Sequence, residues 1–205
     1  MTVKFLFDFG SPNAYLCHRV IPEIEARTGV EFLYEPVLLG GIFRLTGNQS
    51  PQTAFGHIKN KPAYDNLEIQ RFVKKHGIPE FRANPHFPIN TLMLMRGAIA
   101  AQEAGVFEAY VNWIFDDMWV RSRKMDDPEV YAASLEEAGL PKDEILRLVQ
   151  SDPVKSKLLA NTQAAVDAGA FGSPSFLVGD ELFFGKDRLR EVEEEIVKAK
   201  ASQPA

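Results

Sequence analysis

The sequence predicts an α/β fold, a sheet domain interrupted by a large inserted all-helical domain. Three observations carry this. The first 37 residues read as strand, helix, strand, and the stretch from residue 175 onward reads as strand, strand, helix. The residues between them carry helical patterning alone. The discontinuous sheet domain is placed at 1–39 and 166–205, and the helical insert at 40–165.

Residues 3–8, Val-Lys-Phe-Leu-Phe-Asp, are rich in aromatic and branched side chains and read as a buried strand. Gly10 ends it. Ser11 is a favoured N-cap and Pro12 a favoured first helical residue, so a helix starts there. Leu16, Val20 and Ile24 give that helix a core-facing stripe, Pro22 is expected to kink it, and Gly29 closes it. Residues 30–37 read as a second strand. A β-α-β start implies a parallel pair joined by a right-handed crossover. Helical stripes follow at 67–76, 90–104 and 107–119. Further helix starts fall at Asp127-Pro128, Leu140-Pro141 and Asp152-Pro153, with aspartate as the expected cap in two of them. Residues 175–178 and 181–184 form a hairpin about Gly179-Asp180. A last helix begins near Asp187, read as its N-cap, with Leu189, Val192 and Ile196 on one face and a Glu194–Lys198 pair. Residues 201–205 are expected to fray.

Composition bounds the function. A chain of 205 residues with 45% hydrophobic and 25% charged residues is an ordinary globular protein. Its net charge of −5 argues against a nucleic-acid partner, which demands a basic face. Cys17 is the single cysteine and forms no intramolecular disulfide. The apolar run at 92–101 is short and broken by Arg96, and residues 1–5 lack a signal-peptide pattern, so a cytoplasmic protein with no membrane partner is expected. His18, His57, His76 and His86 lack metal-ligand spacing, and no metal is expected. Asp116-Asp117 and Asp126-Asp127 read as helix-face charges and caps.

Three motifs carry chemistry. In Phe7-Asp8-Phe9-Gly10-Ser11-Pro12 a strand delivers a hydroxyl to a helix N-terminus, where free N–H groups and the dipole favour an anion. Ser11 is a poor nucleophile without a base, and G-x-S-x-G is absent. Its hydroxyl either caps the helix or donates to another molecule's thiolate, lowering that thiol's pKa. In Gly172-Ser173-Pro174-Ser175-Phe176 a proline opens a strand. A trans bond makes this an ordinary strand start, whereas a cis bond exposes the N–H and C=O of Ser173 to a peptide ligand. In Phe184-Gly185-Lys186-Asp187-Arg188 the turn either only caps a helix or offers Lys186 and Asp187 to the two charges of an α-amino acid end group.

In this order, on a split frame, the motifs resemble the thioredoxin fold, with its active site at the first helix and a cis-proline before the third strand. The tetrad at the C-x-x-C position is Ser11-Pro12-Asn13-Ala14, which excludes dithiol exchange there; Cys17 reads as a core thiol. Over nearly its whole length the chain is similar to the 2-hydroxychromene-2-carboxylate isomerase and kappa-class glutathione transferase family. The similarity rests on Phe7 to Pro12, Gly47-Asn48, Trp119, Gly172-Ser173-Pro174 and Phe184 to Leu189. It implies an enzyme with glutathione as cofactor. Ser11 would stabilise the glutathione thiolate, and Ser173, before a cis Pro174, would pair with the cysteinyl backbone. Phe184, Gly185, Lys186 and Asp187 would hold the γ-glutamyl end, and Asn48 would line the site. The resemblance also implies a homodimer and a small aromatic or electrophilic substrate, near Arg44, Asn84 and Trp119. The chain departs from the family's pattern at Ser173, where Val or Leu is usual. It also has Phe43 at the isomerases' lysine and no tyrosine in the segment 83–86. The expected reaction is a glutathione-dependent isomerisation. The alternatives are a kappa-like transferase or peroxidase, and a non-enzymatic binding protein in which Ser11 is only a cap.

Overall fold

A computed structural model describes residues 2–202. Four strands, β1 (Val3–Phe7), β2 (Phe32–Pro36), β3 (Ser175–Val178) and β4 (Glu181–Phe184), form one sheet in the order β2-β1-β3-β4. β1 runs parallel to β2 across helix α1 (Pro12–Thr28) and antiparallel to β3, which pairs antiparallel with β4. Alternation along β1 sorts the two faces. Val3, Phe5 and Phe7 enter the main core with Phe32, Phe176 and Val178, under α1 and the C-terminal helix. Leu6 points the other way, into a smaller cluster with Val37, Ile42, Ala165 and Ala170.

Between β2 and β3 come α2 (Leu39–Thr46), α3 (Pro51–Phe55), α4 (Lys61–His76), α5 (Leu92–Glu103), α6 (Phe107–Trp119), α7 (Pro128–Glu137), α8 (Lys142–Leu148) and α9 (Asp152–Asp167). α2 and α9 supply Ile42 and Ala165 to the second face of the sheet, and α5 and α6 join the main core. One hydrophobic cluster therefore runs from sheet to helices, with Phe9 and Phe115 (4.8 Å between ring centroids) at the junction. No helix among the described residues is long and apolar enough to cross a membrane.

α1 runs through Pro22 to Thr28 and is closed by Gly29, as the sequence predicts. Elsewhere the structure differs from the sequence reading in several local ways. α4 starts at Lys61, six residues before the apolar stripe at Leu67, with Pro62 in its first turn, where a proline costs no helical hydrogen bond, and a Lys61–Asp65 ion pair on its surface. α9 is capped by Ser151, which leaves Asp152 in the first turn, where its charge suits the dipole. Asp187 is no cap: it lies in a 3₁₀ turn, Lys186–Arg188, and α10 (Leu189–Ala201) follows. Lys198 pairs with Glu195 rather than Glu194, at 2.9 Å. Asp117 is not a surface charge but fully buried, held by Arg121, Arg123 and the Ser134 hydroxyl. The fraying expected at 201–205 falls mostly outside the described residues, which end at 202.

Candidate active site

The end of β1 and the start of α1 form a tightly supported loop. Asp8 is completely buried. One carboxylate oxygen accepts the Gly10 N–H (2.8 Å) and the other the Leu39 N–H (2.7 Å), joining this loop to the start of α2. Burial pushes the Asp8 carboxyl above the usual carboxylate range, and those N–H groups oppose the shift. The Phe9 carbonyl accepts the Trp119 indole N–H at 2.8 Å, and the Phe9 N–H faces Met95 Sδ at 3.4 Å.

On this support Ser11 caps α1, its Oγ accepting the Ala14 N–H at 3.2 Å. The same hydroxyl donates to the carbonyl of Ser173 at 2.9 Å, across 162 residues of chain. The Ser173-Pro174 bond is cis. A second cis bond, Phe87-Pro88, had no sequence signal. Ser173 accepts the Asp8 N–H (3.2 Å) and donates to the Leu6 carbonyl (3.3 Å) through its own hydroxyl. Serine thus ties the turn to β1 where the family usually has an aliphatic residue. Among the described residues nothing accepts the Ser173 N–H.

The third motif closes on the same turn. The Gly185 N–H donates to the Pro174 carbonyl at 3.0 Å. Gly185 holds φ 95°, a left-handed conformation that favours glycine. The exposed Phe184 packs on Phe171 with centroids 4.5 Å apart, and Asn48 Nδ2 donates to the Phe171 carbonyl at 2.8 Å. Lys186 is turned inward: its ammonium is buried over the Phe72 ring and pairs with Asp187 Oδ1 at 2.5 Å, while the Asp187 carboxylate stays largely exposed.

The structure therefore joins Ser11, Ser173, Pro174, Gly185, Phe184 and Asn48 through direct contacts or a shared neighbour. The residues expected near a substrate are placed differently. Arg44 is exposed at the end of α2. Asn84 is buried, with both amide hydrogens taken by the carbonyls of Met118 and Arg123 (2.9 Å each) and its oxygen by the His86 N–H. Trp119 is buried with its N–H on Phe9. Asn84 and Trp119 hold loops, and neither offers a free polar hydrogen. Sequence reasoning gave Asp8 no role, although an acid closing an apolar strand is a signal, since a buried carboxylate needs partners. It also passed over Asn13, whose Oδ1 is buried in the first turn of α1 with no donor among the described residues.

A family model described as a DsbA-like thioredoxin domain matches residues 2–197. The chain belongs to the DsbA-like thioredoxin-domain family. Within it, the chain is 28% identical over 190 residues to 2-hydroxychromene-2-carboxylate isomerase of Pseudomonas putida, covering 92% of this chain and 91% of that one. It is 25% identical over 200 residues to glutathione S-transferase kappa 1 of Rattus norvegicus, covering 91% and 87%. A solved 2-hydroxychromene-2-carboxylate isomerase superposes with a TM-score of 0.83 at 25% identity, covering 99% of this chain and all of that one. The relatives are enzymes, in line with the sequence resemblance. The matched domain and the superposition give this chain the DsbA-like thioredoxin fold, in line with the thioredoxin resemblance of its sequence.

Proposed function

We propose that this protein binds glutathione beside Ser11 and uses it, unconsumed, to isomerise a 2-hydroxychromene-2-carboxylate or a close analogue. One observation carries the reading: the Ser11 hydroxyl at the N-terminus of α1 meets the carbonyl of the cis Ser173-Pro174 turn, whose N–H has no protein acceptor among the described residues. That free N–H and adjoining C=O fit the backbone of a cysteinyl residue as an added strand. When a thiol arrives, the Ser11 hydrogen swings from the Ser173 carbonyl to the sulfur and leaves that carbonyl to the peptide. The hydroxyl and the N-terminus of α1 then favour the charged sulfur. The exposed Asp187 carboxylate faces the ammonium of the γ-glutamyl end, with Lys186 fixing it from below. Held there by Ser11, the Ser173-Pro174 turn and Asp187, glutathione would supply a thiolate whose reversible addition to a conjugated carbon would make the double bond single and free to rotate, and whose elimination would restore it. Asp8, Trp119 and Met95 hold the loop that aims Ser11.

The test is the ultraviolet spectrum of 2-hydroxychromene-2-carboxylate with purified protein and catalytic glutathione. The expected outcome is isomerisation with no loss of free thiol, and a fall in kcat/KM of about a hundredfold in Ser11→Ala, the range for loss of one aimed donor. An unchanged spectrum sinks the proposal. A second reading, a kappa-like transferase, is favoured by Phe43 standing where the isomerases have lysine. It predicts stoichiometric thiol loss with chlorodinitrobenzene.

A further inference from the structure

The charge of this acidic chain is unevenly spread. Residues 44–77, from the end of α2 through α4, carry six lysines and arginines against two acids, a net +4, which leaves −9 for the remainder of a chain of net −5. Lys61 and Arg71 are neutralised within α4, by Asp65 and Glu68. Arg44, Lys59, Lys74 and Lys75 are exposed and form no ion pair among the described residues.

This segment touches the Ser11 site at two points. Asn48 Nδ2 holds the carbonyl of Phe171, two residues before Ser173, at 2.8 Å. The ring of Phe72 on α4 lies 5.3 Å from the Lys186 ammonium. Beyond Phe72 the helix leads away from the site. The charges of Glu23 and Arg27 act on His76 there, and Glu23 stands twelve residues, about 18 Å, along α1 from Ser11. Lys74 and Lys75 share that distant end. Upstream of Phe72 the chain leads the other way, toward the start of α1, and Lys59 lies on that stretch between α3 and α4. Arg44 is in the last turn of α2, one turn before Asn48. A peptide laid along Ser173 with one end toward Gly185 and Asp187 has its other end toward Phe171 and Asn48, on the Arg44 side.

We propose, on the reading that glutathione binds beside Ser11, that Arg44 and Lys59 are a cationic guide that raises the affinity of this site for anionic thiol peptides. Glutathione is an anion even before its thiol ionises, so both cations attract it. The attraction acts through water and needs no contact: one unit charge about 10 Å from another changes affinity about twofold. Salt screens it, over about 10 Å at 0.1 M.

Calorimetry of the whole chain with glutathione, at about 10 mM and about 200 mM NaCl, tests this. Glutathione is expected to bind about fourfold more weakly at the higher salt, the effect of two such cations. Its monoethyl ester, of net charge zero, is expected to change less than about twofold. The double variant Arg44→Gln, Lys59→Gln should bind glutathione about fourfold more weakly than wild type at low salt and equally at high salt. The double variant Lys74→Gln, Lys75→Gln should match wild type at both. No binding by wild type at either salt overturns the guide together with the glutathione reading. Binding that ignores salt, a loss in the Arg44 and Lys59 variant that persists at high salt, or an equal loss in the Lys74 and Lys75 variant overturns the guide alone.

Discussion

The carboxylate of Asp8 lies wholly out of water, yet among the described residues it has no cationic partner; two backbone N–H groups hold it, from Gly10 and Leu39. Its own N–H goes to Ser173. One side chain and its backbone thus bind together the loop before Ser11, the entry to α2 and the cis-proline turn. Asp8→Asn keeps the shape but turns an NH₂ toward one of the two donors. We expect it to cost about 2 kcal/mol in urea unfolding, the range for a buried donor left unsatisfied. We also expect it to lower glutathione-dependent turnover about tenfold by letting Ser11 shift. A variant with wild-type stability and turnover would show that the loop holds itself. Ser11 was legible in the sequence because capping is local, written in the Ser-Pro pair itself. Its bond to Ser173 was not, because no local pattern encodes a contact across 162 residues. The inward turn of Lys186 was hidden for the same reason, since it depends on Phe72 in a distant helix.

Among the elements, α5 is the one that others close upon, and Gly97 is where they close most tightly. The hydroxyls of Tyr110 on α6 and Tyr131 on α7 meet at 2.8 Å, and Tyr110 also donates to the Leu94 carbonyl. A Cβ at Gly97 would collide with both hydroxyls. Gly97→Ala gains helix propensity but must separate this pair. We expect a net loss of about 3 kcal/mol, from overpacking and the broken hydrogen bonds, read as a lower urea midpoint. An unchanged midpoint would show that the three helices shift apart freely. The strands, α1, α6 and the C-terminal helix were readable because each repeats its apolar residues with a clear period. α2 and α3 were not, being short and largely exposed: α2 buries Ile42 alone and α3 buries none. Asp117 misled because a charge on an amphipathic helix usually faces water, and its two arginines lie beyond the helix end.

At the scale of the whole molecule, sheet and helices meet through aromatic rings, and His18 lies in that seam. It packs on Phe115 of α6 at 4.9 Å, and its Nδ1 is hydrogen-bonded to the Tyr34 hydroxyl of β2 at 2.9 Å. Burial, and then the charge of Arg19, push its pKa down to about 4, so it stays neutral in the folded chain. The unfolded chain has an ordinary histidine near 6.5 and takes up the proton first as pH falls. Stability from this group is therefore complete above about pH 6.5 and declines as pH falls toward 4. The linkage gives a loss of about 2 kcal/mol at pH 5 and about 3 kcal/mol by pH 4. Urea unfolding at pH 7 and pH 5 isolates it by comparison with His18→Gln, which cannot take up a proton but keeps a polar group for Tyr34. Buried carboxylates such as Asp8 affect both proteins alike and cancel. Wild type should lose about 2 kcal/mol more than the variant between the two pH values, and equal losses would mean that His18 takes up its proton in the folded protein as easily as in water. Because the ring touches both layers, protonation should loosen sheet and helices together, so that near-ultraviolet and far-ultraviolet signals fall in a single transition at pH 5.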